Sequence, residues 1–239
     1  MQPREAVAIW NLSAKFVSEI LAAVFFLAAA LLPFLRISIA ATPAPQEDVL
    51  SRPAPIGDLS LPASSAFEAA VQASGVPGGV AFLEGCPDEP KPTVHPYGTT
   101  LREVLESITS RDTHYMWRMQ EGVVNLEPVK GAPALLRTHL KTYDSGNLTD
   151  ASAIIFLSSL PEVARAAAGL GLTYSQLGSG LGGIALGPPP PKKPLGVRLR
   201  DVRLLDALNA IMRANKHGVW TYRETHCGSV HQFNISFAQ

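Results

Sequence analysis

The chain has little of what usually marks an enzyme or a nucleic-acid binder. Its 20 Lys and Arg are matched by 20 Asp and Glu, and only 17% of its residues are charged. A nucleic-acid partner demands a basic surface, as does a polybasic membrane footprint, so neither is expected. Only two cysteines occur among 239 residues, Cys86 and Cys227, and they form no CxxC motif. That excludes a cysteine-dense scaffold and a dithiol redox centre. No Ser lies in a GxSxG elbow, and no pair of carboxylates stands in a conspicuous apolar setting. No catalytic residue and no cofactor site is therefore nominated, and the expectation is a non-enzymatic protein.

One long hydrophobic run is present. Ile20 to Leu35 reads ILAAVFFLAAALLPFL, with Arg4 and Lys15 before it and small residues Ser38 and Ala40 after it. This layout predicts a secretory signal peptide over residues 1–40, since the run is short of the ~20 apolar residues of a membrane span. An uncleaved N-terminal anchor is the alternative, and it would be the chain's only contact with a membrane. Either places the remainder outside the cytoplasm, in the periplasm, the cell envelope or the medium. Residues 1–40 hold three of the 20 basic and two of the 20 acidic residues, so the remainder stays near neutral. Residues 41–55, ATPAPQEDVLSRPAP, read as a Pro/Ala-rich linker.

The strongest internal signal is a repeat. Val94, Leu101, Leu105, Ile108 and Trp117 recur 103 positions later as Val197, Leu204, Leu208, Ile211 and Trp220. The shared frame is a short strand, a Leu-x3-Leu-x2-Ile helix and a strand carrying Trp. Two tandem modules follow, 56–130 and 131–239. In the first, strands are expected at Asp58–Leu61, Val80–Leu83 and Thr93–His95. Helices follow Ser64 or Ser65 and Thr99 or Thr100, the second with Glu103 placed for a capping box. Tyr115–Met119 and Val123–Leu126 flank Glu121-Gly122 as a hairpin. The second module repeats this order: a strand over Leu136–Thr142, a helix broken at Pro161 and stopped by Gly169, strands at Leu172–Tyr174 and Gly196–Leu199, the Leu204 helix, and a closing hairpin of Val219–Tyr222 with Phe233–Phe237. The fold class is α+β, two βαββαββ modules with two helices each on small sheets.

The first module resembles the secretin and TonB short N-terminal (STN) domain. The residues that carry this are Asp58-Leu59-Ser60-Leu61-Pro62, Phe67-Glu68-Ala69-Ala70, Gly75-Val76, Gly98 to Leu105, and Tyr115 to Val124 around Gly122. The likeness covers 56–130, with a weaker second copy at 134–239 carried by Val197 to Tyr222. It implies the fold above and a habit of docking other envelope proteins.

Other features have plainer readings. GSGLGG at 178–183 matches GxGxxG literally, but IALGPPPP follows instead of a helix, so a loop is expected. Pro188 to Pro194, PPPPKKP, reads as a stiff polyproline loop. His226, Cys227 and His231, with His217 nearby, form a thin zinc set that lacks a clear fourth ligand. Outside the cytoplasm a lone Cys86/Cys227 pair is most simply one disulfide joining the modules, against two free buried thiols. Trp117 and Trp220, with Leu101, Leu105, Leu204 and Leu208, are read as core anchors because they recur in both copies. The function expected is docking of an unidentified envelope protein. The alternative is a small-ligand binder with a cleft between the modules.

Overall fold

A computed structural model describes residues 49–57, 60–86, 91–175 and 194–238. The hydrophobic run, GSGLGG and Pro188 to Lys193 lie outside them, as do Asp58 and Leu59. The chain is a mixed α+β protein. It runs β1 (Leu61–Pro62), α1 (Ala63–Ser74), β2 (Gly78–Glu84), β3 (Thr93–Val94), α2 (Leu101–Arg111), β4 (Tyr115–Gln120) and β5 (Val123–Pro128). A 3-10 turn, Leu135–Arg137, leads to β6 (His139–Asp144), α3 (Asp150–Ser158), α4 (Pro161–Gly169), β7 (Thr173–Tyr174), β8 (Arg198–Arg203), α5 (Leu204–Asn215), β9 (Val219–Cys227) and β10 (Val230–Ala238).

Local signals account for most of these boundaries. The Thr100 side chain accepts from the Glu103 amide at 3.3 Å, and Glu103 accepts in return from the Thr100 amide at 3.1 Å, a complete capping box on α2. Glu121 and Gly122 both take positive φ, 49° and 83°, the geometry that matches a two-residue hairpin to the twist of its strands. Gly75 ends α1 in the left-handed region, and the Val76 amide reaches back to the Val71 carbonyl. The α4 stop uses the same device two residues later than expected. Gly169 is its last helical residue, Gly171 takes φ 71°, and the Leu172 amide reaches the Ala167 carbonyl.

Two expectations need correction. Residues 49–55 are not a free linker. Leu50 and Ala54 are buried in the first core, Pro53 bridges Thr100, and the Leu101 amide donates to the Arg52 carbonyl at 2.8 Å. Small and apolar side chains between the prolines give this stretch something to bury. The strand expected over Leu136–Thr142 is split, because Leu135 to Arg137 coil into a 3-10 turn before β6 begins.

One six-stranded sheet, ordered β4-β5-β2-β9-β10-β7, runs through both halves of the chain. Within the first half β4 and β5 are antiparallel and β5 is parallel to β2; within the second, β9 and β10 are antiparallel and β10 is parallel to β7. The halves join where β2 lies parallel to β9, with Gly78 to Glu84 opposite Val219 to Thr225. Two short antiparallel pairs, β1 with β3 and β6 with β8, repeat the remaining element.

This arrangement fixes where the cores sit. Strand direction is reversed between β4 and β9 while the order along the sheet is kept, so the second half is turned over relative to the first. Side chains alternate across a strand. Val80, Phe82, Val124, Leu126 and Val219 therefore face α1 and α2 in one core, together with Phe67, Leu101, Leu105 and Ile108. Ala81, Val123, Trp220, Tyr222, Phe233 and Ile235 face the other way, into a core with Leu204, Leu208 and α3. Leu101, Leu105, Leu204, Leu208 and Trp220 are completely buried.

Candidate functional site

The strand ends at the β2–β9 junction carry the chain's one covalent crosslink. Cys86 follows β2 and Cys227 ends β9, and they form a disulfide with Cα atoms 4.6 Å apart. Parallel pairing delivers both ends to the same edge, which is why two cysteines 141 positions apart can meet. In the chain-entropy account a loop of that length is worth about 5 kcal/mol, less any denatured-state structure.

Beside the disulfide opens a cleft of about 670 Å³. Its apolar wall is built from Phe82 and Tyr115, edge to face at 5.9 Å, with Pro62, Pro128 and Val129. Burial, with Asp112 and Glu84 nearby, pushes the Tyr115 hydroxyl up to about 12. Four of its ionisable side chains are matched in two pairs. Lys91 meets Glu84 at 2.7 Å, and His114 meets Asp112 at 3.0 Å. Among the described residues its lining comes from 62–130, within the first half. The cleft thus sets two hydrogen-bonded pairs of ionisable side chains beside an apolar wall.

On the other face, next to Cys227, a polar string runs along β9 at every second residue. The Tyr222 hydroxyl donates to Glu224, and His226 Nε2 lies 2.7 Å from the same carboxylate. The other ring nitrogen, His226 Nδ1, lies 2.8 Å from His231 Nδ1 directly across the hairpin. Burial pushes the Tyr222 hydroxyl far above its ordinary value, and the Glu224 carboxylate adds to this. The sequence brought out His226, Cys227 and His231 as a thin zinc set. Cys227 is committed to its disulfide, and no group of three metal-ligating side chains forms among the described residues. Glu224 was missed, although the Tyr-x-Glu-x-His spacing on a strand was a usable signal.

The two tryptophans differ. Trp220 is fully buried; its Nε1 donates to Asn209 Oδ1 at 2.8 Å, and Asn209 Nδ2 donates to Gln120 at 3.1 Å. Its indole lies so close to Gly79 that a Cβ there would stand 2.0 Å from Cε2. Trp117 was expected to be equally buried and is not. It is half-buried on β4, the last strand of the sheet, with the Arg102 guanidinium 5.9 Å from its ring centre. The physical reason is the missing neighbour: β2 covers the outer side of β9, and no described strand covers the outer side of β4.

No family model matches this chain, and neither the curated proteins nor the solved structures include a significant match to it.

Proposed function

We propose that the chain is an exported, non-catalytic docking protein of the bacterial envelope, built from two tandem STN-like modules. The observation that carries this reading is the outer edge of β4. It is six residues long, and no described strand pairs with it. Natural edge strands are usually blunted by lysine, proline or a bulge. The β4 sequence YMWRMQ contains one charge and no proline. An edge of this kind offers main-chain hydrogen bonds to an added strand. The disulfide is compatible with an oxidising compartment, as export requires. The paired charges of the cleft fit a contact surface beside that edge.

The test is photo-crosslinking in the native envelope, using the full chain with a photoreactive residue at Arg118 on β4 and, separately, at Ile155 on α3. A discrete crosslink to an envelope protein from either position supports docking. Absence of any crosslink from both, in a chain shown to be folded and exported, contradicts it. A second reading has its own observation, the apolar-walled cleft, which is of a size that suits a small apolar ligand. Saturable thermal stabilisation by such a ligand, lost on Phe82→Asp in a variant that remains folded, would favour it.

A further inference from the structure

Resting on the docking reading, we infer that the outer edge of β4 takes a strand from a partner polypeptide that runs parallel to β4 and places a glycine opposite Trp117.

The fold itself supplies the template. β9 holds the same place in the second half as β4 in the first, and its outer edge is already covered by a strand. That strand is β2. It runs parallel to β9, with Gly79 opposite Trp220 and Ala81 opposite Tyr222. Trp220 also stands opposite Phe237 across its own hairpin, as Trp117 stands opposite Leu126. The hairpin side is thus equivalent in the two halves. On the outer side, Trp220 leans over Gly79 so closely that any side chain there would collide with the ring. Trp117 holds the equivalent register position on an edge that no described strand occupies.

The surroundings of Trp117 are those of an edge kept soluble while it waits. Leu205, buried against the second core, has Arg102 at the equivalent first-half position. Asn209, which accepts from the Trp220 indole, has Glu106 there. Arg102 and Glu106 are both exposed. A cation beside an indole can stay solvated at its head while its stem covers the ring. Both can move aside when a strand arrives. The register transferred from β2 and β9 then specifies the partner: a glycine opposite Trp117, a small apolar residue opposite Met119, and a β-branched residue between them, opposite Arg118.

The decisive experiment uses the full chain and a synthetic peptide with the β2 sequence Gly75 to Glu84, GVPGGVAFLE, followed by residue-resolved hydrogen exchange. The expected result is saturable binding with slowed exchange confined to Tyr115–Gln120. The same peptide with valine at the second of its adjacent glycines should bind at least tenfold more weakly. A nitroxide on the peptide N-terminus should broaden resonances near Tyr115 more than those near Gln120, as parallel pairing requires. Met119→Pro on β4, which removes an amide that points away from β5, should abolish binding, and a native circular-dichroism spectrum and melting curve of that variant show that the loss is not unfolding. Equal affinity for the valine peptide, protection elsewhere than β4, or broadening centred on Gln120 would overturn the inference. If the native envelope yields a partner crosslinked at Ile155 and never at Arg118, docking stands and this edge does not. If neither position crosslinks, the docking reading itself falls.

Discussion

The two halves of this chain place the same frame in two settings, and the contrast shows where burial comes from. α2 and α5 carry the same Leu-x3-Leu-x2-Ile pattern, and β4 and β9 carry Trp at the same point of it. Trp220 is buried because β2 and Asn209 close around it; Trp117 is half-buried because its strand is the last in the sheet. The capping differs in the same way. Thr100 and Glu103 form a capping box on α2, whereas at the equivalent positions Arg203 grips Asp206 with two bonds of 2.8 Å and no side chain caps α5. The repeat thus fixes the local unit, and its neighbours decide what that unit is worth.

The largest expected effect comes from cutting the tie between the halves. Cys86→Ser with Cys227→Ser should lower stability by about 4–5 kcal/mol in chemical denaturation, if the loop-entropy account holds. A loss under about 1 kcal/mol would show that the β2–β9 ladder already holds the junction.

The tryptophans sharpen the comparison next. Trp220→Ala should cost about 3–5 kcal/mol, the range for a large aromatic in a closed core. Trp117→Ala should cost about 1–2 kcal/mol, since only part of its area leaves water on folding. Equal costs would mean that the edge of β4 is as closed as that of β9. Gly79→Ala probes the junction alone and should cost about 1–3 kcal/mol through overpacking against the indole.

Smaller effects separate the helix starts. Thr100→Ala should cost about 1 kcal/mol. Hydrogen bonds from the Thr99 and Thr100 amides, the Thr99 bond first, hold the Glu103 carboxyl down at about 2. A depressed carboxyl contributes stability above its unfolded value and loses it as pH falls toward 2. Glu103→Gln should therefore flatten the acid side of the stability profile, and denaturation at stepped pH reads this directly.

Glu127 has the opposite sign. It is buried on β5, burial raises its carboxyl, and Arg118 and Arg203 only partly offset that. A raised carboxyl favours folding when protonated and costs stability as pH rises through its folded value. Glu127→Gln should accordingly raise the melting temperature at neutral pH more than at pH 4. A uniform shift at both would mean that Glu127 does not titrate in this range.

Much of the local structure was readable from sequence, because its causes lie within a few residues. The capping box at Thr100, the Glu121-Gly122 turn, the break at Pro161 and the Leu204 helix all follow from adjacent chemistry. The Cys86–Cys227 pairing followed from compartment and parity. What escaped depends on distant neighbours. Nothing near Trp117 says that its strand will end the sheet, and nothing near Gly79 says that an indole will lie on it. The prolines of residues 49–55 hid Leu50 and Ala54, whose burial needs the groove beside α2. The Glu224–His226–His231 string needed the hairpin turn placed at Gly228, which fixes His226 opposite His231.

The central claim is that β4 and β9 occupy equivalent places in a repeat, with only β9 covered on its outer side. Residue-resolved hydrogen exchange on the free full-length chain tests it most directly. The account predicts that amides of Tyr115–Gln120 pointing away from β5 exchange orders of magnitude faster than those of Val219–Thr225 pointing toward β2. Comparable protection on both strands would contradict it.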